Sequence, residues 1–103
     1  MANAPGEDWW PDEAEYRRYL GIERRLFALA LCDYGGMSPE QAEGEALARY
    51  PYEPPDTPYR GMIFHDLPWD CAMRRLYGNT HSMSLTEMPE AFRLASEGLH
   101  QSA

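Results

Sequence analysis

Apolar residues along this chain recur at helical rather than strand spacing. From Ile22 they run Ile22, Leu26, Leu29, Ala30 on one side and Phe27, Leu31, Tyr34 on the adjoining one, a stripe wide enough for the most buried helix of a small domain. Upstream, Tyr16, Tyr19 and Leu20 continue a first apolar face. Pro11 suits the first helical position, and Asp12, Glu13 and Glu15 follow where the positive end of the helix dipole favours acids. Gly21 either interrupts this helix or weakens it by about 1 kcal/mol relative to Ala. Gly35-Gly36 predicts its end through a left-handed cap.

The next start signal is the strongest in the chain. Ser38-Pro39-Glu40-Gln41 supplies an N-cap, a proline at the first helical position, an acid in the first turn and a capping-box Gln, with Met37 and Ala42 placed as a hydrophobic staple. This second helix is predicted to run to about Arg49, burying Ala42, Ala46, Leu47 and Tyr50. Residues 51–60 carry four prolines and predict an extended connector. Gly61 to His65 is expected to be extended and buried. A third helix is predicted from Asp66 or Leu67 to Gly78-Asn79, with Trp69, Ala72, Met73, Leu76 and Tyr77 at helical spacing and Asp66 as its cap. A fourth starts between Ser84 and Pro89, where Ser84 and Glu87 form another capping-box pattern, continues through Met88, Phe92 and Ala95, and stops at Gly98. The expected fold is all-α: one domain over residues 1–103, a bundle of four to five helices with a long proline-rich mid-chain loop and loose ends at 1–8 and 99–103.

Composition adds that a core is available, since 44% of the residues are hydrophobic and 13% aromatic, well above the disordered regime. No apolar run approaches the roughly 20 residues of a membrane span, and residues 1–8 lack the pattern of a secretory signal, so a cytoplasmic location in a bacterial host is expected. Cys32 and Cys71 are then expected as two free thiols, Cys71 on the core side. Every basic residue is Arg, a codon-level sign of a GC-rich bacterial or phage genome.

Charge is arranged in blocks. Residues 1–15 carry −5, 16–32 carry +3, 33–56 carry −5, 57–75 carry +1 and 76–103 carry −2, giving the net −8. Such segregation produces oriented fields that attract or repel large partners.

Candidate chemistry is sparse. Cys32, His65, Cys71, His81 and His100 show neither Cys-x-x-Cys nor His-x-x-x-His spacing, so no metal site and no cofactor are expected. A thiolate–imidazole pair of Cys71 with His65 or His81 competes with the commoner buried structural cysteine, and no catalytic residue is assigned. Pro55-x-x-Pro58-x-Arg60 has the spacing SH3 domains read, but its simpler role is a strap across the helices, punctuated by Tyr50, Tyr52 and Tyr59. Trp9-Trp10 cannot both face one core, so they either close its end or anchor an interface.

The stretch Glu23-Arg24-Arg25-Leu26 through Cys32-Asp33-Tyr34-Gly35-Gly36-Met37-Ser38-Pro39-Glu40-Gln41-Ala42-Glu43 resembles helix-turn-helix segments of phage- and plasmid-encoded proteins. Its Gly-Met-Ser-x-x-Gln-Ala rhythm is also similar to the first loop of ubiquitin-associated domains. The resemblance spans about residues 23–49 and implies an origin in a mobile element; no functional residue is carried over from it.

What remains is the acid. Glu40, Glu43 and Glu45 with Asp33, and separately Glu7, Asp8, Asp12, Glu13 and Glu15, either form solvated faces that maintain solubility or imitate the phosphate rows of a nucleic acid. Together with Trp9, Trp10, Tyr52 and Tyr59, all of these but Glu7 and Asp8 form the expected partner-binding set. The expected partner is a larger protein, or protein–nucleic-acid complex, with a basic surface that this chain covers, in the manner of anti-CRISPR proteins and other phage inhibitors of host defence. Direct nucleic-acid binding is not expected at a pI near 4.7, nor is membrane association. The alternative is a phage assembly chaperone or accessory subunit that binds through its aromatic and proline surface.

Overall fold

A computed structural model describes residues 10, 12–78 and 88–101. The described residues form four α-helices and one 3-10 turn, with no strand among them: α1 (Glu13–Gly35), α2 (Pro39–Arg49), the 3-10 turn Met62–His65, α3 (Pro68–Tyr77) and α4 (Glu90–Gln101). Glu7, Asp8, Trp9, Pro11, His81, Ser84 and Glu87 lie outside the described residues.

Helix α1 is the spine. Asp12 caps it, its Oδ1 accepting the Glu15 N–H at 2.7 Å, so the helix begins at Glu13 and not, as expected, at Pro11 with Asp12 in its first turn. The helix runs unbroken through Gly21, which faces solvent. At its far end Gly36 adopts the left-handed conformation (φ 70°) that lets its N–H and that of Met37 reach the Cys32 and Leu31 carbonyls, each at 3.2 Å. Two adjoining faces of α1 are buried, one through Tyr16, Leu20, Phe27 and Leu31 and the other through Ile22, Leu26 and Ala30. Helices α2 and α3 pack against these faces, and α4 touches α1 over a smaller area.

Helix α2 starts where its capping box predicts, with the Ser38 hydroxyl accepting the Gln41 N–H at 3.2 Å. Ala42, Ala46 and Tyr50 are buried, whereas Leu47, expected in the core, is 49% exposed. Small alanines set α2 close to α1, and Leu47 falls on the outer side of that contact. Helix α3 contributes Trp69, Cys71, Ala72 and Met73 to the core, but Tyr77, expected there too, is exposed. Leu67, not Asp66, is its N-cap, with no side-chain cap bond; Pro68 takes the first position, and Asp66 instead pairs with Arg74 at 3.2 Å.

Two further expectations are corrected. Residues 61–65 are not an extended buried segment: Met62–His65 is a 3-10 turn, with Met62 and His65 exposed and Ile63 and Phe64 half-buried. Gly98 does not stop α4, which continues to Gln101, so residues 99–101 are helix and not the loose end expected there, held by Leu99 against the core. No left-handed residue follows Gly98 within the helix, so the glycine is simply tolerated there.

The proline connector is a strap laid over the N-terminal half of α1. Its clamp is Arg60, fully buried despite its charge. The Arg60 guanidinium lies 3.6 Å over the Tyr16 ring, its Nε donates to the Glu53 carbonyl at 2.8 Å and its Nη2 to Glu13 Oε1 at 2.8 Å. The Tyr16 hydroxyl accepts the Glu53 N–H at 2.9 Å. Gly61 (φ 88°) closes the strap where a Cβ would stand 2.9 Å from the Trp10 ring. With Arg60 buried, the proline stretch cannot present the arginine that an SH3 ligand needs.

Candidate functional site

The structure sorts the acids into those held by internal partners and those left to solvent. In the N-terminal block, Asp12 is a cap, and Glu13 accepts from Arg60, from Arg17 (3.0 Å) and from the Tyr52 hydroxyl (2.5 Å). The Tyr52 bond and the Arg60 guanidinium hold the Glu13 carboxyl below its usual range. Glu15 faces Arg18 at 3.7 Å. On α2, Glu45 takes both nitrogens of a bidentate Arg75 (2.7 and 2.9 Å), which lowers its pKa and ties α2 to α3. Trp10 is half-buried against Tyr16, Tyr19 and Phe64 and donates its indole N–H to the Arg60 carbonyl at 3.4 Å. Tyr52 and Tyr59 are 38% and 46% exposed, and Tyr59 has a positive φ of 55°.

Asp33, Glu40 and Glu43 differ from these acids. All three are exposed, and none has a cation within salt-bridge distance among the described residues. They occupy the corner where α1 turns into α2, and Glu40 and Glu43, three apart, share one face of α2. Asp33 lies in the last turn of α1, the end at which the helix dipole disfavours an acid, and no base in that turn offsets it. A charge placed against its local field, at a cost to stability, is the kind of exception proteins keep at working surfaces.

The arginines show the converse pattern. Arg17, Arg18, Arg49, Arg60, Arg74, Arg75 and Arg93 each pair with a carboxylate. Arg24 and Arg25 have no carboxylate partner among the described residues; Arg24 instead donates its Nε to the Tyr50 carbonyl at 2.8 Å. Both line an open groove of about 390 Å³ between α1 and α2, with Ala28, Glu43, Ala46 and Leu47.

One buried acid was not singled out as a candidate from sequence. Glu23 is 2% exposed and meets His100 Nε2 at 3.3 Å, joining α1 to α4. Burial raises its pKa to about 7 and lowers that of His100, so the contact reads as a carboxyl–imidazole hydrogen bond rather than a full ion pair. The signal was present in the pattern, because Glu23 continues the spacing Tyr16, Leu20, Phe27, Ala30 on a buried face. Cys71, buried, accepts from Arg49 Nη2 at 3.3 Å; His65 is exposed, and no cluster of three His, Cys, Asp or Glu side chains suited to a metal occurs among the described residues. Among those residues no helix is long and apolar enough to cross a membrane.

No protein-family model, no curated protein and no solved structure matches the chain.

Proposed function

We propose that this chain is a non-catalytic binding protein whose acidic corner, Asp33, Glu40 and Glu43, docks on a basic, nucleic-acid-binding surface of a larger protein, as phage-encoded inhibitors of host defence do. The observation that supports this reading is the contrast in partners: Glu13, Glu15 and Glu45 each pair with an arginine, while these three stand exposed with no cation within salt-bridge distance among the described residues, Glu43 included although it lines a groove with Arg24 and Arg25. Rigid helices keep the three in fixed relation, so little side-chain and backbone order is lost on docking. Charge of this kind steers encounter and sets register, and its effect falls with ionic strength.

A second reading has its own support. Tyr52, Tyr59, Met62 and Leu67 are all exposed on the strap and the segment that follows it, an apolar surface suited to a structural or assembly partner. Two double variants separate the readings: Glu40→Lys with Glu43→Lys, and Tyr59→Ser with Met62→Ser. The first reading expects partner capture from a bacterial lysate to fall at least roughly ten-fold in the charge variant and to persist in the other. The reverse outcome, with capture insensitive to salt, transfers the function to the strap.

A further inference from the structure

We infer that the groove between α1 and α2 binds a small apolar molecule carrying a single carboxylate. The two arginines that lack a carboxylate partner among the described residues, Arg24 and Arg25, are adjacent in sequence and line the same groove, whereas every other arginine pairs with an acid of the chain. In a chain of net charge −8, two guanidiniums without an acid partner among the described residues are conspicuous, since neighbouring carboxylates would ordinarily claim them.

Arg24 is already oriented. Its Nε is fixed on the Tyr50 carbonyl, which leaves the Nη groups as donors, and a guanidinium held this way loses little freedom on taking up a carboxylate. Apart from Glu43, the rest of the lining is apolar: Ala28, the buried Ala46, and Leu47, which stands half in solvent. A volume of about 390 Å³ is at the lower end of the range of small-molecule sites, which are mostly apolar with a few placed polar groups. Glu43 on the α2 side restricts the charge of the occupant, because two guanidiniums against one carboxylate leave room for one negative charge and repel a second. The fitting ligand class is therefore an aryl or alkyl monocarboxylate. This inference shares Glu43 with the protein-docking reading, whose other two carboxylates, Asp33 and Glu40, lie outside the groove.

The test is a titration of the full chain with 1-naphthoate, followed by two-dimensional amide NMR, with 1-naphthylmethylammonium as the cationic control of the same shape. Saturable shifts are expected at residues 24, 25, 28, 43, 46 and 47 with naphthoate and not with the ammonium. Arg25→Glu and Leu47→Asp, both at exposed positions, should each weaken naphthoate roughly ten-fold or more while leaving the remaining amide spectrum in place. Asp33→Lys with Glu40→Lys should leave naphthoate binding intact, which keeps this site distinct from the acidic corner. The inference is overturned by the absence of saturable shifts up to the solubility of naphthoate, by equal binding of the ammonium, or by affinity unchanged in both Arg25→Glu and Leu47→Asp.

Discussion

Arg60 and Tyr16 form the contact that fastens the strap to the bundle. The guanidinium lies 3.6 Å from the ring centre, and both side chains are fully buried. A buried cation is tolerable only when its donors are used, and Arg60 uses its Nε on the Glu53 carbonyl and its Nη2 on the Glu13 carboxylate. Arg60→Met is expected to destabilise the fold by about 2–4 kcal/mol in urea unfolding. Arg60→Lys should recover little of that loss, because an ammonium cannot both stack on Tyr16 and reach two acceptors. Full rescue by Lys would mean that only the charge matters.

Glu23 makes stability depend on pH in a stated direction. Its carboxyl titrates near its ordinary value of 4.5 when unfolded and at about 7 when folded, so between these the folded chain binds more protons. Stability from this group is present below about pH 4.5, falls as pH rises to about 7, and is level above that. His100 acts oppositely: its lowered pKa makes the folded state lose stability as pH falls through the histidine range. Glu23→Gln removes only the first effect. The variant should be the more stable one at about pH 8, by at most about 3 kcal/mol, and that advantage should vanish near pH 4.5. Parallel stability–pH curves for the two proteins would contradict this.

Tyr50 carries a hydroxyl into the core without a hydrogen-bond partner among the described residues. Burial, and then the neighbouring Cys71 thiol, hold the phenol protonated. Because an unsatisfied buried hydroxyl costs stability, Tyr50→Phe is expected to leave stability unchanged or raise it by about 1 kcal/mol, measured by thermal or urea unfolding. A loss above about 1 kcal/mol would show that the hydroxyl is bonded.

Gly21 sits exposed in the interior of α1, with nothing within 4 Å of where a Cβ would stand. Gly21→Ala should stabilise the fold by about 1 kcal/mol. An unchanged or lowered urea midpoint would indicate that the glycine serves a contact outside the described residues.

Much of the helical frame was legible because it depends on local chemistry. Ser38 with Gln41, and Gly36, act through bonds to residues a few positions away, and such bonds leave a readable spacing; the Asp12 cap was not legible, because Pro11 predicts the first helical position one residue before it. Elements fixed by distant contacts were not legible. The 3-10 turn at 62–65 is held where Trp10 and Tyr19 meet Phe64, contacts that no local pattern encodes. The same holds for Arg60, whose burial depends on Tyr16 and Glu13 more than forty residues upstream. Glu23 was visible in principle through its place on the apolar stripe. The candidate site was legible only as composition: the acid blocks showed in the sequence, but only the structure distinguishes Glu13 and Glu45, held by arginines, from Asp33, Glu40 and Glu43, which are not.

The central claim is that these three carboxylates occupy a surface meant for nucleic acid, and competition tests it most directly. A partner captured from a bacterial lysate and identified by mass spectrometry is titrated with its own DNA or RNA at moderate salt, in the presence of this chain and of the Asp33→Lys, Glu40→Lys, Glu43→Lys variant. The account predicts mutual displacement of nucleic acid and wild-type chain, with the variant displacing neither. A partner that holds its nucleic acid and this chain together, or that binds the variant equally well, contradicts it.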